Sequence, residues 1–289
     1  MPTRTETITP QLLRDWALPS LAGSKYGRGQ VVVVGGARST PGAVLLAGTA
    51  ALRVGAGRLT LAVSRSVAVP LAVALPEAGV VGLPETELGS VEGTGLEVLA
   101  DDLHAADAVL VGPGLDDAGR TAALLTALVP LVRRSTPVLL DAYALGVLPD
   151  LQDVAARLRG RLLLTPNTTE AARLLGVADE DLDDAAPDRI AKRYEAVVTC
   201  QGRIGAPDGS RWEVSTGTPG LATSGSGDVL AGALVGLLAR GADPARAACW
   251  ATHLHATADD RLAVRVGRTG YLARELLDEL PALLTDLSP

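Results

Sequence analysis

The sequence predicts a doubly wound α/β fold of three layers, a mostly parallel sheet with helices on both faces. Three observations carry this. Continuous apolar runs such as QVVVV (30–34) and AVLV (108–111) read as strands buried on both sides, not as a half-wet sheet. Helix-length stretches of small or amphipathic residues separate them. The runs end in Gly, Pro or polar loops, as strands do at the open edge of such a sheet.

In chain order, GQVVVVGGA (29–37) is the first buried strand, and PGAVLLAGTAALRVGAG follows as a closely packed helix starting near Pro41. RLTLAVS (58–64) is the next strand. The glycine-rich stretch from 76 to 94 has periodicity for at most one short strand. The alternation then becomes regular. ADAVLVGPG (106–114) is a strand, DAGRTAALLTALVPLVRR (117–134) a helix and TPVLLDA (136–142) a strand. DLQDVAARLRG (150–160) is a helix, RLLLTP (161–166) a strand and NTTEAARLLG (167–176) a helix with a polar cap. After a further helix, EAVVTC (195–200) is a strand, and RIGAPDGSRWEVST (203–216) a hairpin turning at Asp208-Gly209. From Asp228 onward the chain is nearly all helical. No linker, repeat or low-complexity segment divides it, so residues 1–20 read as an N-terminal extension and 21–289 as a single domain.

Composition removes several function classes. The net charge is −7 and no Lys/Arg run tracks a phosphate backbone, which argues against nucleic acid as a partner. No uncharged apolar run reaches membrane-spanning length, and the first twenty residues lack a signal-peptide core, so no membrane partner is expected. Two cysteines, Cys200 and Cys249, make no disulfide framework; a cytoplasmic location fits. Lys25 and Lys192 are the only lysines, so GGARSTPGA (35–43) is not a Walker A loop. G-x-G-x-x-G is missing at the first strand turn, and G-x-S-x-G around the serines of 223–228. His253 and His255 lie two apart on a helix and point to different faces, one expected in the core and the other exposed; they cannot form an i, i+4 zinc pair. His104 is expected at the surface, and no metal ligand is assigned.

In open α/β sheets, ligands sit beyond the carboxyl ends of the strands. GGARSTPG (35–42), GPGLDD (112–117), DAYAL (141–145), TPNTTE (165–170) and CQGR (200–203) each follow a strand, and TSGSGD (223–228) opens a helix. Together they mark a cleft without naming its ligand. Backbone N–H groups of Ser224 to Gly227 would form an anion-binding nest at that helix N-terminus, with glycine allowing close approach. Asp228 then has two readings: an ordinary acidic residue in a first turn, or a base beside a transferring phosphoryl group. The residues alone leave both open.

G-[ST]-G-D opening a late helix resembles the ribokinase-like superfamily. GSKYGRGQVVVVGGARSTPGA, RVGAGRLTLAV, VGPGL, LLDAYAL, LLTPNTTEAARLLG and GTPGLATSGSGDVLAGALVGLLARG, in that order, resemble the ADP-dependent (S)-NAD(P)H-hydrate dehydratases. The chain is similar to a divergent member from about residue 20 onward. The resemblance implies a ribokinase-like fold and a lyase that uses kinase-like chemistry. ADP (or ATP), with Mg2+, phosphorylates the ring hydroxyl of the hydrated cofactor; phosphate elimination then gives NAD(P)H, AMP and inorganic phosphate. By the same resemblance, Asp228 is the base and Gly225, Ser226 and Gly227 hold the transferring phosphate. Gln201, Gly202, Arg203, Ile204 and Gly205, with Gly227, contact the nucleotide. Ala43, Gly114, Asn167 and Asp228 contact the hydrated NAD(P)H. Relatives imply a homo-oligomer, a tetramer. Four positions depart from the family pattern. Asn167 replaces a histidine in TPNTTE, Gln201 a lysine, Thr218 the asparagine of GNPG, and Tyr143 an acid of DADAL. A small-molecule kinase acting on a vitamin precursor or sugar, and a non-catalytic nucleotide-binding homologue, fit the same residues.

Overall fold

The valine run at 30–34 becomes an interior strand of a wide sheet, two strands from one edge. In a computed structural model of the chain the described residues are 5–20, 24–25 and 27–288. Residues 1–4 of the extension, 21–23 at its boundary and Tyr26 of the GSKYG motif lie outside them.

β1 (Glu6–Ile8) and α1 (Pro10–Asp15) come from the N-terminal segment. Next come β2 (Gln30–Val34), α2 (Pro41–Arg53), β3 (Arg58–Ser64), α3 (Arg65–Ala74) and β4 (Gly79–Leu83). α4 (Ala100–Ala105), β5 (Ala108–Val111), α5 (Ala118–Leu128), β6 (Val138–Leu140), α6 (Tyr143–Val147) and α7 (Gln152–Leu158) follow. β7 (Leu162–Leu164), α8 (Thr168–Leu175), α9 (Ala186–Tyr194) and β8 (Ala196–Cys200) complete the alternation. The hairpin is β9 (Arg203–Gly205) and β10 (Arg211–Val214), and three helices end the chain: α10 (Ser226–Ala239), α11 (Pro244–Arg265) and α12 (Ala273–Leu287).

Among the described residues the strands form one sheet in the order β1-β10-β9-β8-β7-β6-β5-β2-β3-β4. Every strand runs parallel to the others except β9, which opposes both neighbours. Val31 and Val33 enter the core beneath α2, α10, α11 and α12, whereas Val32 and Val34 enter the core beneath the helices of the middle of the chain. That alternation is the three-layer architecture in one strand.

One close approach fixes the position of the nest. A Cβ at Gly232 would lie 2.1 Å from the carbonyl oxygen of Ala47, and one at Gly236 2.7 Å from that of Ala51. Only glycine lets α10 lie this tightly on α2, which brings Gly225, at the start of α10, against Leu46.

Three details differ from the sequence reading. Helix α3 was not expected, because Pro70 sits inside it and Val69 and Val73 are exposed, so its apolar residues do not mark one face. The N-terminal segment set apart at residue 20 adds β1 to the sheet edge beside β10. Trp16 meets Trp212 edge to face at 5.9 Å, and its carbonyl accepts from the Trp250 indole N–H at 3.0 Å. Finally, His253 and His255 are both buried rather than one of them exposed. α11 is covered by the sheet on one side and by α10 and α12 on the other, so residues two apart still meet protein. His104 lies at the surface, as expected.

Candidate active site

Parallel strands bring their carboxyl ends to one edge, and a cavity of about 580 Å³ opens there. Thr165, Asn167, Thr199, Gln201 and Gly202 reach it from the ends of β7 and β8. The segment 216–222 and α10 supply its other wall, with Ser226, Gly227 and Leu230. Val214, Leu221, Leu230 and Ala256 add apolar surface to the lining, and Thr165, Thr199, Thr216, Thr218, Ser226 and Thr252 are its hydroxyl residues. No arginine or lysine lines this cavity among the described residues.

Of the five residues assigned to the nucleotide after β8, two reach the cavity. Gln201 and Gly202 are the turn between β8 and β9, with φ of 51° and 75°, the left-handed pair that a two-residue hairpin turn requires. Arg203, Ile204 and Gly205 run on as β9 and do not line it. Arg203 pairs with Asp184 at 2.5 Å, Ile204 is buried, and Gly205 packs against Pro187 and Asp188.

The nest is open. Gly225 is the N-cap of α10 with φ of 90°, and no side chain caps the helix. The amides of Gly225, Gly227 and Asp228 have no hydrogen-bond partner among the described residues, so they and the helix dipole are free to receive an anion. The Ser226 amide differs from the expectation: it donates to the Thr223 carbonyl at 3.2 Å. Ser226 is left to act through its side chain. That side chain is 2.9 Å from Nε2 of His255, a contact between residues 29 apart that no local motif announces.

Asp228 lies in the first turn of α10. Burial pushes its carboxyl up to about 6, which poises it to take a proton near neutral pH. At the end of β6, burial and then the charges of Asp228 and Glu170 hold Asp141 up at about 8, against the 2.7 Å hydrogen bond from Thr165 Oγ1. Both carboxyls are thus held above the ordinary carboxylate range, Asp141 further than Asp228. Ala43 and Gly114 come together at the ends of β2 and β5. A Cβ on Gly114 would sit 3.1 Å from that of Ala43, and Thr40 Oγ1 donates to the Gly114 carbonyl at 2.8 Å. Among the described residues no three His, Cys, Asp or Glu side chains group to cage a metal. A magnesium ion carried by nucleotide phosphates needs only one or two protein carboxylates, and Asp141 and Asp228 are the pair at this edge.

Two departures acquire a structural account. Asn167 caps α8: its Oδ1 accepts from the Glu170 amide and the Glu170 carboxylate accepts from the Asn167 amide, both at 2.9 Å. With Oδ1 committed, Asn167 offers the cavity an NH2 donor. Thr218 holds the segment 216–222. Its amide and hydroxyl both donate to the buried Asp259 on α11, the hydroxyl at 2.9 Å, and Oγ1 accepts from Gly220 N at 3.1 Å. Tyr271 donates to the same carboxylate at 2.6 Å. The sequence reading missed Asp259 and Thr252 and weighed His255 only as a core or exposed residue, because their helix looks like ordinary core. Tyr143 opens α6 and is exposed; nothing in the structure explains the change there.

Residues 31–282 match the carbohydrate-kinase family model described as NAD(P)H-hydrate dehydratase. The chain belongs to this family. The ADP-dependent (S)-NAD(P)H-hydrate dehydratase of Xanthomonas campestris is 43% identical over 98% of each chain. Other relatives are bifunctional NAD(P)H-hydrate repair enzymes, of whose length the chain spans about half. Among solved structures, a ribokinase-like superfamily protein of Enterococcus faecalis superposes with a TM-score of 0.86 at 24% identity, covering 98% of this chain and 96% of that one, and shows the fold. The ADP/ATP-dependent NAD(P)H-hydrate dehydratase of Bacillus subtilis, co-crystallised with ATP/Mg2+, superposes at 0.80 with 28% identity over 99% of each. The ribokinase-like expectation from GSGD thus holds for this member of the NAD(P)H-hydrate dehydratase family.

Proposed function

We propose that this protein is an ADP-dependent (S)-NAD(P)H-hydrate dehydratase. One observation carries the reading: α10 begins uncapped with the amides of Gly225, Gly227 and Asp228 open, and Ser226 and Gly227 of that first turn line a nucleotide-sized cavity. The nucleotide lies in the cavity with its terminal phosphoryl group on the amides of Gly225 and Gly227. The hydrated nicotinamide ring lies against Ala43 and Gly114. Asp228 removes the proton of the ring hydroxyl as that oxygen takes the β-phosphoryl group and AMP leaves. The ring C–O bond then breaks, phosphate leaving with the electron pair as a proton is lost from the adjacent ring carbon, which gives NAD(P)H and inorganic phosphate; hydroxide leaves poorly, phosphate readily. Magnesium would be held by the phosphates with Asp141 or Asp228 and would supply charge neutralisation. ATP serves the same site in place of ADP. A small-molecule kinase would share the nest, but no observation favours it.

Incubating the purified protein with (S)-NADHX, ADP and Mg2+ and following the absorbance of NADH tests this. No NADH, with a competent relative active alongside, would sink it. The same reading takes residues 21–289 as one domain to which the N-terminal segment adds an edge strand. Among the described residues no helix is long and apolar enough to cross a membrane, and both cysteines are free and buried; we place the protein in the cytoplasm on that support. A homo-oligomer, a tetramer by family resemblance, is supported by Val69 and Val73 exposed along α3; light scattering measures it.

A further inference from the structure

We infer that His255 is a positioning residue that turns the Ser226 hydroxyl into a hydrogen-bond donor to phosphate. The inference rests on the nucleotide reading of the cavity and deepens it. His255 and Ser226 are both buried and both line the cavity. Nε2 of His255 lies 3.0 Å from the Ser226 carbonyl oxygen and 2.9 Å from Ser226 Oγ. A carbonyl only accepts, so Nε2 must carry the hydrogen; a bare nitrogen lone pair against that oxygen would be repelled. The one Nε2–H therefore points between the carbonyl and Oγ, and Oγ is met by a donor. The serine's own hydrogen is then left with no acceptor among the described residues, at a cavity wall one residue from the open Gly227 amide.

A buried hydroxyl hydrogen without an acceptor is costly until an anion arrives, and a phosphate oxygen on the nest is such an acceptor. This also compensates for the Ser226 amide, which is spent on Thr223. Burial holds the imidazole down at about 4, so the ring stays neutral in the working range and adds orientation, not charge. The cavity thereby binds phosphate with amides and a fixed hydroxyl where no cation lines it.

Two measurements on the full chain test the assignment. Nitrogen-15 spectra of labelled histidine should show His255 as the neutral Nε2–H tautomer from pH 5 to 8; an Nδ1–H tautomer overturns the geometry. Calorimetric titration with ADP and Mg2+ should show Ser226→Ala and His255→Leu each weakening binding by about tenfold or more, the loss of one hydrogen bond to a charged group. The double variant should be no more than about twofold worse than the worse single one. His255→Gln, whose amide can donate to the same two oxygens, should recover binding to within about threefold of wild type. Losses that multiply in the double variant, or unchanged binding in His255→Leu, overturn the role of His255 alone. A wild type that binds no ADP instead overturns the nucleotide reading, and with it the acceptor, while the tautomer still reports on the His–Ser contact.

Discussion

Asp228 meets opposed demands, because burial that makes it a usable base also makes its charge costly. With the carboxyl pushed up to about 6, kcat/KM should fall as pH drops through 6, since the base must be ionised. Asp228→Asn should lose about 10²- to 10⁴-fold in kcat while ADP still binds. It should also be the more stable protein at pH 8. A folded-state value above the unfolded one makes ionisation destabilising at high pH, and neutral Asn removes that penalty, up to about 2–3 kcal/mol. The gain should vanish below pH 4, where aspartate is protonated in both states. Urea titrations at pH 4 and pH 8 measure it, and equal stabilities at pH 8 would contradict the burial argument. Gln201 offers a second test at this scale. It stands at the mouth of a cavity that no cation lines, so Gln201→Lys should tighten ADP binding about two- to tenfold at low salt. The gain should fade at high ionic strength, which titrations at two salt concentrations would show.

Among elements, the α10–α2 contact has the most to lose. Gly232→Ala puts a methyl group 2.1 Å from a backbone oxygen that cannot swing aside. Overpacking there should cost about 1–3 kcal/mol and shift the start of α10, so activity should fall further than stability alone explains. Thermal melts beside kcat separate the two effects; an unchanged Tm would refute the close packing. The elements themselves were largely legible. Buried valine runs gave β2 and β5, Asp208-Gly209 the β9–β10 hairpin, and Asn167-x-x-Glu170 the capped start of α8. α3 was hidden because Pro70 and exposed valines carry no amphipathic signal, although packing on the sheet beside β4 still makes it a helix.

At the scale of the molecule, the N-terminal segment is tied to the last third of the chain. Trp16 touches Trp212 and accepts from Trp250, and Glu6 accepts from the Trp212 indole at 3.1 Å. Trp16→Ala should destabilise by about 1–3 kcal/mol through lost aromatic packing, read as a lower urea midpoint; an unchanged midpoint would make this segment a passive appendage. The sequence by itself determined the β–α alternation, the parallel sheet, the glycine nest and the aspartate beside it. Each is written in neighbouring residues, where local propensity and backbone geometry decide. Only the tertiary structure decided that Ser226 leans on His255, that Asp259 holds Thr218, and that Arg203 turns away from the cavity. Those depend on how α11 and β9 lie against distant parts of the chain. Side chains that look like ordinary core along one helix become part of a site only when packing sets them beside another.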